Sequence, residues 1–322
     1  MKKLTFLFLG GAKRVSFGRL LLKACGDAGV EGRIVGYELS ARSPIASLGT
    51  VVEGLRWGDP AIFDHIDSTV DSHSVDAVVP FVDQAVGIAA RYRTRTGGAV
   101  FAPVGKAEDA ERMFDKIAAA EFFERAGIAI PRTYRPGDPC LRLIAKPRFG
   151  SASQGIECIN SLQGVYKYQS LSDRFLIQER IDNRQEISVD CYASVRSGRI
   201  LVASPRLREE TSGGEAVRTT TTDCPEAVEL ASRTIELAGL SGAITVQLIR
   251  DLDNGRLMVM EVNPRFGGGC VASIHAGADV AAAMVNDILG RPGAPAIARP
   301  GVTTVRYPAD VVFDSDSNVP RN

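Results

Sequence analysis

The first hundred residues alternate short apolar runs with helical patterns, and that rhythm restricts the possible folds more than any other feature of the chain. The run "LTFLFL" at 4–9 is followed by a helical pattern over 15–28, the run "RIVGYEL", a second helical pattern near 61–70, then "VDAVVPF" and "AVFAP". Strands separated by helices in this way lie parallel, because each helix carries the chain back across the sheet before the next strand begins. Ligands of such sheets collect at the carboxyl ends of the strands. "GGAKRVSFG" stands at one such end, and Glu38 has the spacing of a ribose-binding acid. No GxGxxG is spelled there, so a plain strand-to-helix turn is preferred to a dinucleotide site.

From Asp109 the pattern changes. "EDAERMFDKIAAAEFFERAGIAIP" reads as one helix with Met113, Phe114, Ile117 and Ala120 on its buried side, closed by Gly127 and stopped before Pro131. The Pro- and Gly-rich "PRTYRPGDPC" then reads as a connector. After it, "LRLIAKP", "RFLIQERI", "EISVDCYASV" and "RILVASPRLR" are strands with no long helices between them, which points to antiparallel sheets. A helix over 226–238 and the strand pair "AITVQLIRD" and "RLMVMEVNP" complete the second half. The expected division is 1–108 for the parallel-sheet domain and 109–322 for an α+β domain, with a smaller subdomain at about 131–182.

The last strand pair carries the sharpest chemistry. A three-residue loop, "DNG" at 253–255, sets Leu252 opposite Arg256. Counting back in that register places Gln247 opposite Glu261, with Asn263 one pleat further on the same face. Three oxygen-bearing side chains with room for water suit Mg²⁺, which prefers such oxygens together with nucleotide phosphates, and Mn²⁺ is admissible. Arg265 points the same way, toward a phosphoryl group, and Gly267–Gly269 let backbone come close to a ligand. The alternative is a solvated strand end in which Glu261 pairs with Arg265.

"AKPRFGSASQGI" offers a second anion site. Lys146 ends a strand, and a loop with Gly150, Ser151, Ser153 and Gly155 presents N–H groups and hydroxyls, although Walker A spacing is absent. In "LIQERIDNRQEISVD", Gln178, Glu179 and Ile181 precede Glu186; a short connector's main chain can serve an adenine edge, and a carboxylate can take ribose hydroxyls. Taken singly, each of these has an ordinary reading as a hairpin tip or a solvated charge.

Together, and in this order, these segments resemble the ATP-grasp superfamily, and within it stand-alone proteins similar to one ATP-grasp half of the carbamoyl-phosphate synthetase large subunit. The resemblance runs from the first strand to about Gly290 and implies a Rossmann-like pre-ATP-grasp domain followed by an ATP-grasp fold with a mobile lid. It further implies that Lys116 and Lys146 reach ATP and that 150–155 forms the lid loop. By the same resemblance Glu179 and Ile181 lie at the adenine and Glu186 at the ribose, with Gln178 among the nucleotide-binding residues. Gln247, Glu261 and Asn263 then hold Mg²⁺, while Arg265 steadies an acyl phosphate. Gln247 replaces a glutamate of many relatives, removing one negative charge. Arg206, Arg208 and Arg218 in "SPRLREETSGGEAVRT" match the segment near the transferred phosphate and the acid substrate.

The remaining properties set limits. Lys plus Arg balance Asp plus Glu at 38 each, so no global field draws the chain to nucleic acid or an anionic membrane. Six cysteines without CxxC spacing, and three histidines, suggest a reduced cytoplasmic protein without a Cys/His zinc site. The opening "MKKLTFLFLGGAKR" has too short an apolar run for a signal peptide. The expected function is an ATP-dependent carboxylate–amine ligase acting through an acyl phosphate on small, amino-acid-like substrates, in a possible homodimer. Its rivals are bicarbonate activation, a nucleotide-binding module without turnover, and an NAD-dependent oxidoreductase. Asp83 is a candidate for a substrate amino group or a helix N-cap, and His275 for substrate or a helix-start hydrogen bond.

Overall fold

Six consecutive buried residues follow Lys3 in the first strand, a pattern that only a strand covered on both faces tolerates. The computed structural model describes residues 2–135, 138, 142–150, 154–315 and 317–321. Its first part comprises β1 (Lys3–Leu9), α1 (Val15–Asp27), β2 (Glu31–Glu38), β3 (Thr50–Glu53), α2 (Ile62–His73), β4 (Ala77–Pro80) and α3 (Asp83–Arg95). The strands form a parallel sheet in the order β3-β2-β1-β4. The expected strand "AVFAP" is reduced to a single bridge between Ala77 and Phe101, and α3 had not been anticipated between it and β4.

Alternation along β1 separates two cores. Leu4, Phe6 and Phe8 pack with Phe17 and Leu21 of α1, and Leu7 and Leu9 pack with Ile62, Ile66 and Val86 on the other face. The first layer is completed from far along the chain: Val280, Met284 and Val285 of α9 (Val280–Ile288) lie in the same cluster as α1. Residues 1–108 therefore do not close their own core.

The single helix expected after Asp109 is two, α4 (Ala107–Arg112) and α5 (Lys116–Arg125). Asp115 breaks it, because its carboxylate accepts from the N–H groups of Ile117 and Ala118 and so starts a new helix. Next come β5 (Leu143–Pro147), β6 (Glu157–Ile159), α6 (Leu162–Gln169) and β7 (Phe175–Glu179), whose strands form a small antiparallel sheet in the order β6-β5-β7.

The large sheet uses β8 (Arg184–Ala193), β9 (Ile200–Ser212), β10 (Glu215–Thr221), β11 (Gly242–Asp251), β12 (Leu257–Asn263) and β13 (Thr303–Val305) in the order β12-β11-β8-β9-β10-β13, antiparallel throughout. Between them lie α7 (Pro225–Leu237) and α8 (Cys270–His275), with α9 following. One face is apolar, where Ile187, Val189, Ile244, Val246 and Val262 pack on Ala227, Ala231 and Ile235 of α7. The other face is polar, and the functional side chains project from it.

Candidate functional site

The register of the large sheet assembles the polar face row by row. Glu261, Gln247, Ser188 and Arg206 are successive cross-strand partners, and Asn263, Thr245, Asp190 and Ser204 form the next row. Gln247 thus stands opposite Glu261 as expected, but not by the expected route. The β11–β12 connection closes one residue earlier, at Asp251 and Arg256, so that Arg250 pairs with Leu257. A bulge then skips Met260 between the Leu248–Val259 and Gln247–Glu261 pairs. It turns Val259 into the same apolar layer as Val262, which a regular strand forbids, and frees Glu261 to face the site.

Side-chain oxygens of Gln247, Glu261 and Asn263 meet the chemical needs of a hard cation, with one formal charge among them. The oxygen of Gln247 accepts from Arg208 Nη1 at 2.5 Å and that of Asn263 from Arg265 Nη2 at 3.2 Å, so arginines hold two of these three side chains. No group of three or more His, Cys, Asp or Glu able to hold a metal occurs among the described residues. A cation here would rely on amide oxygens and phosphate.

Lys146, on β5, reaches the same space from the small sheet. Its Nζ donates to Gln178 Oε1 at 2.8 Å, and Gln178 donates on to the Pro131 carbonyl at 3.0 Å. Burial pulls the Lys146 ammonium down to about 8, against the opposing pull of Glu261. Lys116, the first residue of α5, donates to the Gly150 carbonyl at 2.6 Å and so touches the loop after β5. Ser151 and Ser153 lie outside the described residues; Gly155, at φ +69°, begins the return to β6. Between the two sheets runs a narrow cleft with Met113, Ala119, Leu176 and Met260 along it and Lys146 and Glu261 at its polar end.

Other expected residues are placed differently. The Glu179 carboxylate accepts from the Arg132 N–H at 2.9 Å and pairs with Arg256 at 3.1 Å. The Glu179 N–H is also engaged, donating to the Arg132 carbonyl at 2.9 Å, while Ile181 packs on Ile249 and Met258. Glu186 lies 3.8 Å from Arg208 and accepts from Arg184 at 3.2 Å. Arg206 is fully enclosed: its fork grips Asp190 at 2.7 and 3.1 Å, and Asp190 also accepts from Ser273 at 2.7 Å. An arginine expected to act on substrate thus supports the glycine loop, whose Gly269 comes so close that a Cβ would lie 2.4 Å from the guanidinium carbon. Arg218 pairs with Glu210 on the surface. Asp83 does not cap α3; it accepts from Arg265 Nε at 2.6 Å and ties the parallel sheet to the site. His275 is exposed and ends α8 rather than starting a helix.

Removing one partner of the enclosed Arg206–Asp190 pair should be severe. Asp190→Ala leaves a buried guanidinium uncompensated and is expected to lower stability by about 3–5 kcal/mol, read from the shift of the urea unfolding midpoint. A shift under a third of that would show that Arg206 finds water or another acceptor.

Sequence reasoning missed Arg14, Glu215 and Arg306. Arg14, between β1 and α1, pairs with Glu215 at 2.9 Å, and Arg306 reaches Glu215 and the Gly268 carbonyl from beyond β13. The two guanidiniums hold the Glu215 carboxyl down at about 2 despite its burial. Arg14 was in view within "GGAKRVSFG", but its partner lies 201 residues away.

Residues 172–311 match the family model described as "ATP-grasp in the biosynthetic pathway with Ter operon". No curated protein matches the chain. Among solved structures, the chain is similar to Rhizobium etli pyruvate carboxylase, with a TM-score of 0.71 and 14% identity, covering 91% of this chain but 30% of that one. The chain therefore spans under a third of that protein's length. The biotin carboxylase domain of the Hydrogenobacter thermophilus 2-oxoglutarate carboxylase, in complex with MgADP, ADP and bicarbonate, gives 0.71 and 16%, covering 90% and 71%. The L-amino acid ligase from Bacillus licheniformis gives 0.67 and 14%, covering 89% and 74%. The parallel sheet followed by the two antiparallel sheets is the ATP-grasp fold.

Proposed function

We propose that this chain, which has the ATP-grasp fold, is an ATP-dependent ligase that joins a small carboxylic acid to an amine through an acyl phosphate. One observation carries this reading: Lys146 from the small sheet and Glu261 of β12 line one cavity where the two sheets meet, and Gln247, the cross-strand partner of Glu261, lines a second with Asn263 and Arg265. Across the two a triphosphate would find a lysine and an arginine, plus oxygen ligands for Mg²⁺ or Mn²⁺, which would neutralise phosphate charge. The adenine would occupy the apolar slot, reading the main chain between Glu179 and Ile181, with Glu186 near the ribose and Lys116 and 150–155 over the phosphates.

In the first step a carboxylate oxygen attacks the γ-phosphorus; the bond to the β-phosphate oxygen breaks and ADP leaves. The amine then forms the C–N bond, loses a proton, and expels phosphate. No side chain is covalently changed, so positioning and charge stabilisation supply the rate. The L-amino acid ligase among the similar structures favours this reading. Similarity to carboxylases, one of them bound to bicarbonate, supports bicarbonate activation as the second reading.

The proposal also takes 1–108 and 109–322 as domains with a lid at about 131–182, in a cytoplasmic protein acting as a homodimer. No helix among the described residues is long and apolar enough to cross a membrane.

The test supplies ATP, Mg²⁺ and pools of acids and amines, with ¹⁸O in the carboxylates. The expected result is ADP release that requires an acid, and one ¹⁸O delivered to the phosphate for each amide formed. ADP release supported by bicarbonate alone would replace this reading with the second, and ATP binding without release under any pool would reduce the chain to a nucleotide-binding module.

A further inference from the structure

Two buried polar atoms of opposite character lack partners at the carboxyl end of the parallel sheet. One is Arg14 Nη1, a donor; the other is Glu38 Oε1, an acceptor at the end of β2. Both residues line one cavity of about 400 Å³, together with Tyr37, Trp57, Val82 and Glu215. Leaving such atoms unpaired is costly, so a site that retains both has a use for them.

Of the other charged groups lining the cavity, Lys13 is exposed to solvent and Glu215 is already matched. Glu215 is held by Arg14 Nη2 and Arg306, which leaves Arg14 Nη1 as the donor without an acceptor. Burial pushes the Glu38 carboxyl up to about 7, while the N–H groups of Gly11 and Ala12 pull it the other way. No lysine or arginine among the described residues forms an ion pair with it within 4.0 Å, so it offers a buried carboxylate without a counter-cation. The wall between the two atoms is fixed: Tyr37 accepts from the Leu55 N–H at 3.1 Å, hydrogen-bonds His65 at 2.9 Å and stacks on Trp57 at 6.0 Å.

Position gives direction. Arg14, Val82 and Glu215 also line the neighbouring cavity of about 220 Å³ that contains Asp83, Asn263 and Arg265. A ligand with its anionic end at Arg14 would present that end to the phosphoryl site, with its cationic end toward Glu38.

We propose that the cavity between Arg14 and Glu38 binds an α-amino acid as the acid substrate, Arg14 receiving the carboxylate and Glu38 the ammonium. This assignment rests on the ligase reading and decides which substrate is the amino acid. Paired with the Glu38 carboxylate, the ammonium keeps its proton and is therefore not the nucleophile; the substrate carboxylate takes the γ-phosphoryl group as ADP departs. The amine that forms the C–N bond comes from a second molecule.

Hydroxylamine separates the two halves of the reaction, since it converts an acyl phosphate to a hydroxamate whatever the natural amine. The full chain is given ATP, Mg²⁺, hydroxylamine and each L-amino acid beside its des-amino counterpart. The expected result is hydroxamate from a subset of amino acids, with kcat/KM at least about tenfold above their counterparts, a preference that Glu38→Gln collapses toward one. Arg14→Gln should raise KM for the amino acid about tenfold or more. Calorimetry with a non-hydrolysable ATP analogue follows amino-acid binding directly and confirms that both variants retain nucleotide affinity.

Equal use of des-amino acids by the unaltered protein, or an undiminished preference in Glu38→Gln, overturns the assignment and leaves the ligase reading standing. Hydroxamate from no acid overturns the ligase reading. In that case amino-acid binding lost in Glu38→Gln would still support the site, and absence of such binding would dismiss it.

Discussion

Arg265→Met is expected to lower kcat for ADP formation by about 10²–10³, with KM for ATP changed only a few-fold. The asymmetry follows from where the guanidinium is held. Its Nε is fixed on Asp83 at 2.6 Å and its Nη2 on the Asn263 oxygen at 3.2 Å. The group is thus oriented before any ligand arrives and needs little reorganisation when charge spreads over a transferring phosphoryl group. On the proposed reading ground-state ATP would have other partners in Lys146 and Lys116, so binding should survive the substitution. Lysine at 265 should rescue poorly, because it cannot engage Asp83 and Asn263 through a planar fork. A loss confined to KM would instead make Arg265 a simple anchor for bound nucleotide.

The same residue shows what a sequence can and cannot disclose. Alternation along "LMVMEVNPRF" put Glu261, Asn263 and Arg265 on one face; in the structure β12 ends at Asn263, and Arg265, beyond that end, turns its Nη2 to the Asn263 oxygen. The pairing of Gln247 with Glu261 was reached through two compensating deviations, a shorter route back from the turn and a bulge at Met260. Local pattern carries no sign of a bulge at Met260. It becomes necessary only once Val259 must join Val262 on the apolar layer above α7.

Long-range pairing was equally hidden. Arg206 and Arg265 look alike as arginines near strand ends. One meets Asp190 on the neighbouring strand and becomes internal support, while the other meets Asp83 from the parallel sheet and stays at the edge of the cavity. Nothing local to either segment names its partner. Helix breaks depend on a single cap, as at Asp115, and α3 was passed over although its apolar residues now pack under β1 and β4. What was legible was the order of elements and the chemistry of the loops that join them.

Lys146→Met should reduce kcat/KM for ATP by about 10²-fold or more, because a buried ammonium paired with phosphate has no substitute in the cleft. The unaltered protein carries its own check. Burial lowers this ammonium from the ordinary lysine range to about 8, so near pH 7 it is charged and above pH 8 the empty protein progressively loses that charge. Bound triphosphate favours the charged form and raises its pKa again. ATP affinity should therefore be flat below about pH 7.5 and then fall by up to about tenfold per pH unit above 8, until the pKa of the occupied site is reached. Lys146→Met should bind weakly at every pH and lose that slope, whereas Arg265→Met should keep it. A slope that persists in Lys146→Met would move the titrating group elsewhere and leave Lys146 as packing between Gln178 and Glu261.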